Sequence, residues 1–364
     1  MPAGRLLRGV ALVGSIGLAL HLVLPQIPGI ERSAGLVLSA SPLLVLAAFC
    51  AEALSELCYS ELLGRAAGAV AGSGPSLRAR RRRGIGPWFT LRLTVTGYGA
   101  AHVLPGGGAA ASTVDYEALR RRGLERGRIA AALAIVAALT YSALGLLFVT
   151  SLLYLLVDGD LNPVEAAATA LGLALVFGIS LLCYAAYRAP RWTRGLLVRA
   201  AGGLSSLAGR VSARSGYGRR VGEAADRIVS RAEDALRAVR KQLSTRPAEL
   251  LRLAWLAIGY WAFDALCMIL VFAALGVGAD PVVLLVAYGV ATVAGTLPLT
   301  PGGIGVFEAT MLATLALLGV GADAAVAVLG YRLFNFWLPI PLAVVFYPTL
   351  WRRSSGTGRD PTRL

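Results

Sequence analysis

Charge, histidine and paired cysteine are all scarce in this chain, and each scarcity removes a class of function. Charged residues make up 15% of the 364 positions and apolar residues 57%, with a mean hydropathy of +0.68. An ordinary soluble domain carries about 25% charge, so a water-soluble globule is not expected. The two histidines, His21 and His102, cannot assemble a histidine metal cluster or a triad. The four cysteines, Cys50, Cys58, Cys183 and Cys267, fall inside apolar segments with no CxxC pair. They read as small packing residues, not as disulfides or zinc ligands. No P-loop or dinucleotide fingerprint is found, so no ATP drive is visible, and no cofactor or metal is expected. No nucleophile, base and metal set presents itself, so the chain is not expected to be an enzyme.

What the chain has is apolar length. Segments long enough to span a bilayer, roughly 17–25 residues, cover about Leu6–Leu24, Leu36–Leu63, Ile129–Val157, Val164–Tyr187, Leu250–Leu275 and Ala324–Leu350. Two further apolar stretches, Trp88–Leu119 and Val282–Leu318, are each broken near the middle by Pro-Gly-Gly. Arg5 and Arg8 precede the first segment as in a signal peptide, but no small-x-small cleavage site follows, so it reads as a retained helix.

The net charge of +15 lies between the spans. Arg65, Arg78 and Arg80–Arg83 form one group, Arg120–Arg122 with Arg126 and Arg128 another, the segment from Arg188 to Arg246 a third, and Arg352 with Arg353 the last. Glu31 with Arg32, Asp158 with Asp160, Asp280 and Asp323 occupy the remaining connections. The positive-inside rule makes the basic set cytoplasmic and puts both termini inside; the charge sets orientation and does not indicate nucleic-acid binding.

The two breaks are related. Shifting Pro105-Gly106-Gly107 by 196 positions superposes it on Pro301-Gly302-Gly303, and with it Thr96 on Thr292, Gly99 on Gly295, Leu119 on Leu315 and Gly123 on Gly319. The loop charges send the first broken segment in from the cytoplasm and back, and the second in from outside and back. A unit of span, broken hairpin and span is therefore expected twice, inverted, the arrangement of alternating-access carriers. The plain alternative is that Pro and Gly only kink packed helices. Between the halves, Val221, Ala225, Ile228, Ala232, Leu236, Val239 and Leu243 recur at helical spacing. That helix, 219–243, either lies on anionic inner-leaflet lipid or packs on the cytoplasmic ends of the spans, and a Gly/Ser-rich linker precedes it.

Ionisable residues inside the spans are functional candidates by default, at a cost of about 2.5–3.5 kcal/mol each on insertion scales. They are Glu308 in the second hairpin, Asp264, Glu52 and Glu56 in spans, Arg92 in the first hairpin, and Arg332 with Asn335 in the last span. Glu61, Asp115 and Glu117 lie nearer the ends. Either these acids and arginines pair with each other, or they line a site with Pro105, Gly106, Gly107, Pro301, Gly302, Gly303 and Gly305. The excess of acids suits a cationic group, a proton or a metal ion as a passing guest, and the half-helix N-termini after Gly107 and Gly303 suit a phosphate.

Leu297-Pro298-Leu299-Thr300-Pro301-Gly302-Gly303-Ile304-Gly305, followed by Glu308, resembles the signature of the lysylphosphatidylglycerol synthase transmembrane-region family. That family includes the flippase half of multiple peptide resistance factors and stand-alone inner-membrane proteins. The resemblance covers essentially the whole chain and implies a bacterial cell-membrane protein that moves a phospholipid between leaflets. Aminoacylated phosphatidylglycerol or a related lipid-linked headgroup is the implied substrate. The first copy departs from the signature, reading Pro-Gly-Gly-Gly-Ala with Ser112 where Glu308 aligns. The resemblance leaves a second reading, a non-transporting accessory subunit of a lipid-modifying or glycosyltransferase system. The expected architecture is thus an all-α polytopic membrane protein with six spans and two inverted broken hairpins. It divides into a membrane half over 1–187, a cytoplasmic basic segment over 188–247, a second membrane half over 248–353 and a disordered tail over 354–364, with membrane lipids and a lipid-modifying enzyme as partners.

Overall fold

A computed structural model describes residues 35–70, 76–82, 84–104, 107–158, 247–296 and 300–351, and these are helices joined by turns with no strand among them. The predicted spans Leu6–Leu24 and Val164–Tyr187, the helix 219–243 and the tail 354–364 lie outside the described residues. In chain order the helices are α1 (Pro42–Val70), α2 (Leu77–Arg82), α3 (Pro87–Val103), α4 (Gly108–Arg121), α5 (Arg126–Asp158), α6 (Pro247–Ala274), α7 (Pro281–Gly295), α8 (Val306–Leu317), α9 (Ala324–Arg332) and α10 (Pro339–Leu350). A 3-10 turn, Pro301–Gly303, precedes α8, and a π-turn, Leu333–Trp337, joins α9 to α10. Four segments are long and apolar enough to cross a membrane: Pro42–Ala69, Arg126–Thr150, Ala248–Ala274 and Ala324–Leu350. The chain is an all-helical, multi-pass membrane protein.

Apart from the six-residue α2, the order long segment, two short helices, long segment occurs twice. The short helices have 17, 14, 15 and 12 residues. At 1.5 Å per residue they reach about 18–25 Å, less than the hydrocarbon thickness of about 30 Å. In each pair the two helices pack on one another, α3 on α4 and α7 on α8. Local chemistry sets their ends. Pro87 and Pro281 open α3 and α7 at positions where a missing N–H costs nothing, and the Asp280 carboxylate accepts the Val282 N–H at 2.7 Å. Both α4 and α8 stop at a left-handed glycine, Gly123 at φ 81° and Gly319 at φ 79°. The next N–H, from Leu124 or Val320, then returns to Leu119 O or Leu315 O, closing the helix end. These glycines and leucines are the pairs that the 196-residue shift superposes.

The long helices α1 and α6 form the centre and run antiparallel. Ser41 N–H donates to Ala274 O at 2.9 Å at one end, Ser55 Oγ to Tyr260 O at 2.8 Å in the middle, and Arg65 Nη1 to Glu249 Oε1 at 3.1 Å at the other. Around them each short pair reaches across to the opposite half: α3 packs on α10, and α7 on α5. Two apolar clusters fill the interior. One joins Ala48 and Ala51 of α1 to Ala265–Leu275 of α6 with α7, α8 and α9. The other joins Leu62–Ala67 of α1 to Leu253 and Ala257 of α6 with α3, α4 and α5. Between the clusters, along both central helices, lie Glu52, Ser55 and Glu56 of α1 and Tyr260 and Asp264 of α6. The molecule therefore holds a polar layer at mid-height between two apolar ones.

Candidate functional site

A cavity of about 250 Å³ opens in this polar layer, where the two glycine breaks approach each other. Gly107 and Gly108 line it from the first break, Gly302 and Gly303 from the second, and Asp264, Arg332 and Asn335 from the spans. The second break meets the backbone of the last turn of α3, just before the first break. Gly302 sits at φ 58°, and a Cβ there would come within 2.6 Å of Phe336, 2.9 Å of His102 Cα and 3.0 Å of His102 O. Only glycine combines that dihedral with that approach.

Asp264 is the best-partnered acid. Its Oδ2 accepts from Tyr288 Oη, while Oδ1 accepts from Tyr331 Oη and Asn335 Nδ2, both at 2.9 Å. The Asn335 amide nitrogen also faces Tyr98 Oη at 3.1 Å and Glu52 Oε1 at 3.5 Å. Two N–H groups thus serve three acceptors, and Glu52 has the longest contact. Glu52 Oε2 and both oxygens of Glu56 have no hydrogen-bond partner. Asn335 reaches this position because the π-turn adds a residue to the last span: Leu338 N–H bonds to Leu333 O, five residues back. Pro339 and Pro341 follow at once and supply no N–H to the ladder.

Arg332 also lines the cavity. Its Nε donates to Glu308 Oε1 at 2.5 Å, Nη2 lies 3.5 Å from Gly302 O, and the guanidinium sits 4.2 Å from the Phe336 ring centroid and 4.8 Å from that of Phe307. The other Glu308 oxygen accepts the Gly305 N–H at 2.7 Å, capping α8. Glu308 therefore binds Arg332 and the helix start and does not line the cavity.

The remaining candidates divide plainly. Glu52 and Glu56 lie in the polar layer beside Asp264 without lining the cavity. Gly305 caps α8; Pro105 and Gly106 lie outside the described residues; the backbone of Pro301 opens the 3-10 turn. Arg92 is not brought to the site: its Nε donates to Trp88 O at 3.2 Å and its guanidinium lies over the Trp88 ring. Glu61 belongs to a structural network at the basic end of α1, with Arg80 at 2.8 and 2.9 Å and Arg65 at 2.8 Å. There Arg122 Nη1 donates to Gly84 O at 2.9 Å and stacks over Phe89, and burial together with the Arg92 charge lowers its pKa. Glu117 is half-buried and pairs with Arg121. Asp115 is buried against Gly97, with one oxygen unpartnered.

Sequence reasoning passed over the aromatic lining, Tyr98, Tyr141, Tyr260, Trp261 and Tyr331, together with the unpartnered Thr292 hydroxyl and Tyr288, which holds Asp264 from behind the cavity. The available signal was a tyrosine in mid-span, where the hydroxyl must find a partner away from water.

The family model of the lysylphosphatidylglycerol synthase TM region matches residues 15–343, and the chain belongs to that family. No curated protein matches it.

Proposed function

We propose that this member of the lysylphosphatidylglycerol synthase TM-region family is a translocase. It passes a lipid headgroup through the mid-height cavity while the acyl chains remain in the bilayer. The observation that carries the reading is one small cavity lined from both Pro-Gly-Gly breaks, with Arg332 and Asp264 both in its lining. Irregular backbone at membrane depth is tolerated where it lines such a cavity. A volume of about 250 Å³ is below the range for drug-sized ligands and suits a headgroup without its chains. Arg332 matches a phosphate and the acids match an amine, so a zwitterionic or aminoacylated phospholipid satisfies both.

The alternating-access geometry has its own support. The Arg122 contact to Gly84 O joins the far end of α4 to the start of α3, as in a hairpin that enters and returns on one face. The second pair begins beyond the end of α6, at the other end of the antiparallel α1/α6 pair. We read the pairs as inverted re-entrant hairpins, and the basic end as the cytoplasmic face of a bacterial inner membrane. The reading makes the chain a carrier and not an enzyme, with membrane lipids as its partners. Leaflet exchange of fluorescent phosphatidylethanolamine and phosphatidylglycerol in proteoliposomes tests it: exchange above empty vesicles supports it, and none from folded protein with either lipid refutes it.

A further inference from the structure

We propose that Glu52 and Glu56 each carry a proton while the cavity is empty, that Asp264 alone among the three carries the negative charge, and that the Glu52 proton leaves when a cationic headgroup enters. Only the last step rests on the translocase reading.

The three carboxyl groups lie together in the polar layer, with exposures of 5%, 8% and 3% for Glu52, Glu56 and Asp264. The other charged or titratable groups turned toward this layer are Tyr59 of α1, Tyr98 and His102 of α3, Asp115 of α4, Tyr141 of α5, Tyr260 and Cys267 of α6, Tyr288 of α7, Glu308 of α8, and Tyr331 and Arg332 of α9. None of them forms an ion pair with the three acids. Arg332, the arginine on the cavity wall, is paired with Glu308. His102 directs Nδ1 to the Tyr98 carbonyl at 2.8 Å. Three carboxylates here would be three uncompensated charges in a low-dielectric layer, and such groups neutralise instead.

Hydrogen bonding decides which of them does. Asp264 accepts three donors, Tyr288 Oη, Tyr331 Oη and Asn335 Nδ2, and donors to a carboxylate favour its charged form. Glu52 has one long share of the same amide, and Glu56 has no donor at all. The charge therefore stays on Asp264 and the protons on the glutamates. Glu52 is joined through Asn335 to Asp264, which lines the cavity, so it is the exchanging group. Its O–H bond breaks, the proton passes through the neighbouring Asp264 carboxylate to cavity water, and the headgroup ammonium binds in the cavity beside Asp264, balancing the new Glu52 carboxylate behind it. One positive charge leaves for each that arrives.

Infrared difference spectra in nanodiscs at neutral pH, variant against wild type, test the charge assignment. We expect Glu52→Gln and Glu56→Gln each to remove intensity from the carbonyl stretch of a protonated carboxylic acid, and Asp264→Asn to remove none. Loss in Asp264→Asn with no loss in either glutamine variant overturns the assignment. Glutamine has the shape and neutrality of protonated glutamate, so both glutamine variants should unfold near the wild-type temperature; a large fall in both also overturns it. In proteoliposomes, an inward or outward pH gradient should speed phosphatidylethanolamine exchange several-fold in wild type and not in Glu52→Gln. Exchange that ignores the gradient in wild type overturns proton release and leaves the translocase standing. No exchange of any lipid, with the infrared losses present, refutes the translocase and supports the proton assignment.

Discussion

Arg332 serves the architecture first, and the proposed translocase reading asks it to recognise a headgroup as well. Held by Glu308 at 2.5 Å and stacked on Phe336 and Phe307, it is fixed by the protein before any ligand arrives. Removing one member of a buried pair strands the other charge, at a cost of about 3–5 kcal/mol. Glu308→Gln should therefore lower the unfolding temperature in detergent markedly, and Glu308→Gln/Arg332→Gln should lose less than the sum of the single losses, since residues in contact are not additive. Additive losses would mean that the pair is not formed in the membrane. The Arg80–Glu61 pair supplies the contrast. Arg80 is fully buried and remote from the cavity, so Arg80→Ala should cost a similar amount of stability while leaving the order of lipid preference unchanged. A changed preference, measured by leaflet exchange of several headgroups, would show that the basic end also recognises lipid.

At the scale of the element, the second Pro-Gly-Gly turn, four of the six expected spans and the matching helix ends of the repeat were legible because each leaves a chemical mark. Pro and Gly break helices, apolar length marks spans, and Gly123 and Gly319 end their helices at matching left-handed turns. The π-turn in the last span was not legible, since Leu333–Trp337 keeps an apolar pattern and only the prolines at 339 and 341 hint at it. Nor was the pairing of Glu308 with Arg332, 24 residues apart, distinguishable from a free acid; sequence shows that a buried charge exists but not which partner packing gives it. The tyrosine lining was hidden for the same reason, because mid-span aromatics read as packing until a carboxylate is placed beside them. The break itself is testable. Gly302→Ala imposes a left-handed dihedral costing about 1–2 kcal/mol and a Cβ 2.6 Å from Phe336. It should lower the unfolding temperature more than Gly108→Ala, whose Cβ would meet open space. Equal effects would argue against backbone contact between the second break and the end of α3.

Across the described residues, the antiparallel α1/α6 pair places a polar layer between two apolar ones, and each short helical pair packs on the opposite half, α3 on α10 and α7 on α5. That exchange of contacts gives the two halves a shared cavity instead of one each. A carrier built this way has to move the halves past each other around a site that stays at mid-height. Leaflet exchange of phosphatidylethanolamine by purified wild-type protein and Asp264→Asn in proteoliposomes tests this account most directly. It predicts exchange well above empty vesicles for wild type and at least about a tenfold loss for folded Asp264→Asn, equivalent to about 1.4 kcal/mol of lost barrier stabilisation. Wild-type exchange that Asp264→Asn leaves intact would contradict the cavity as the route.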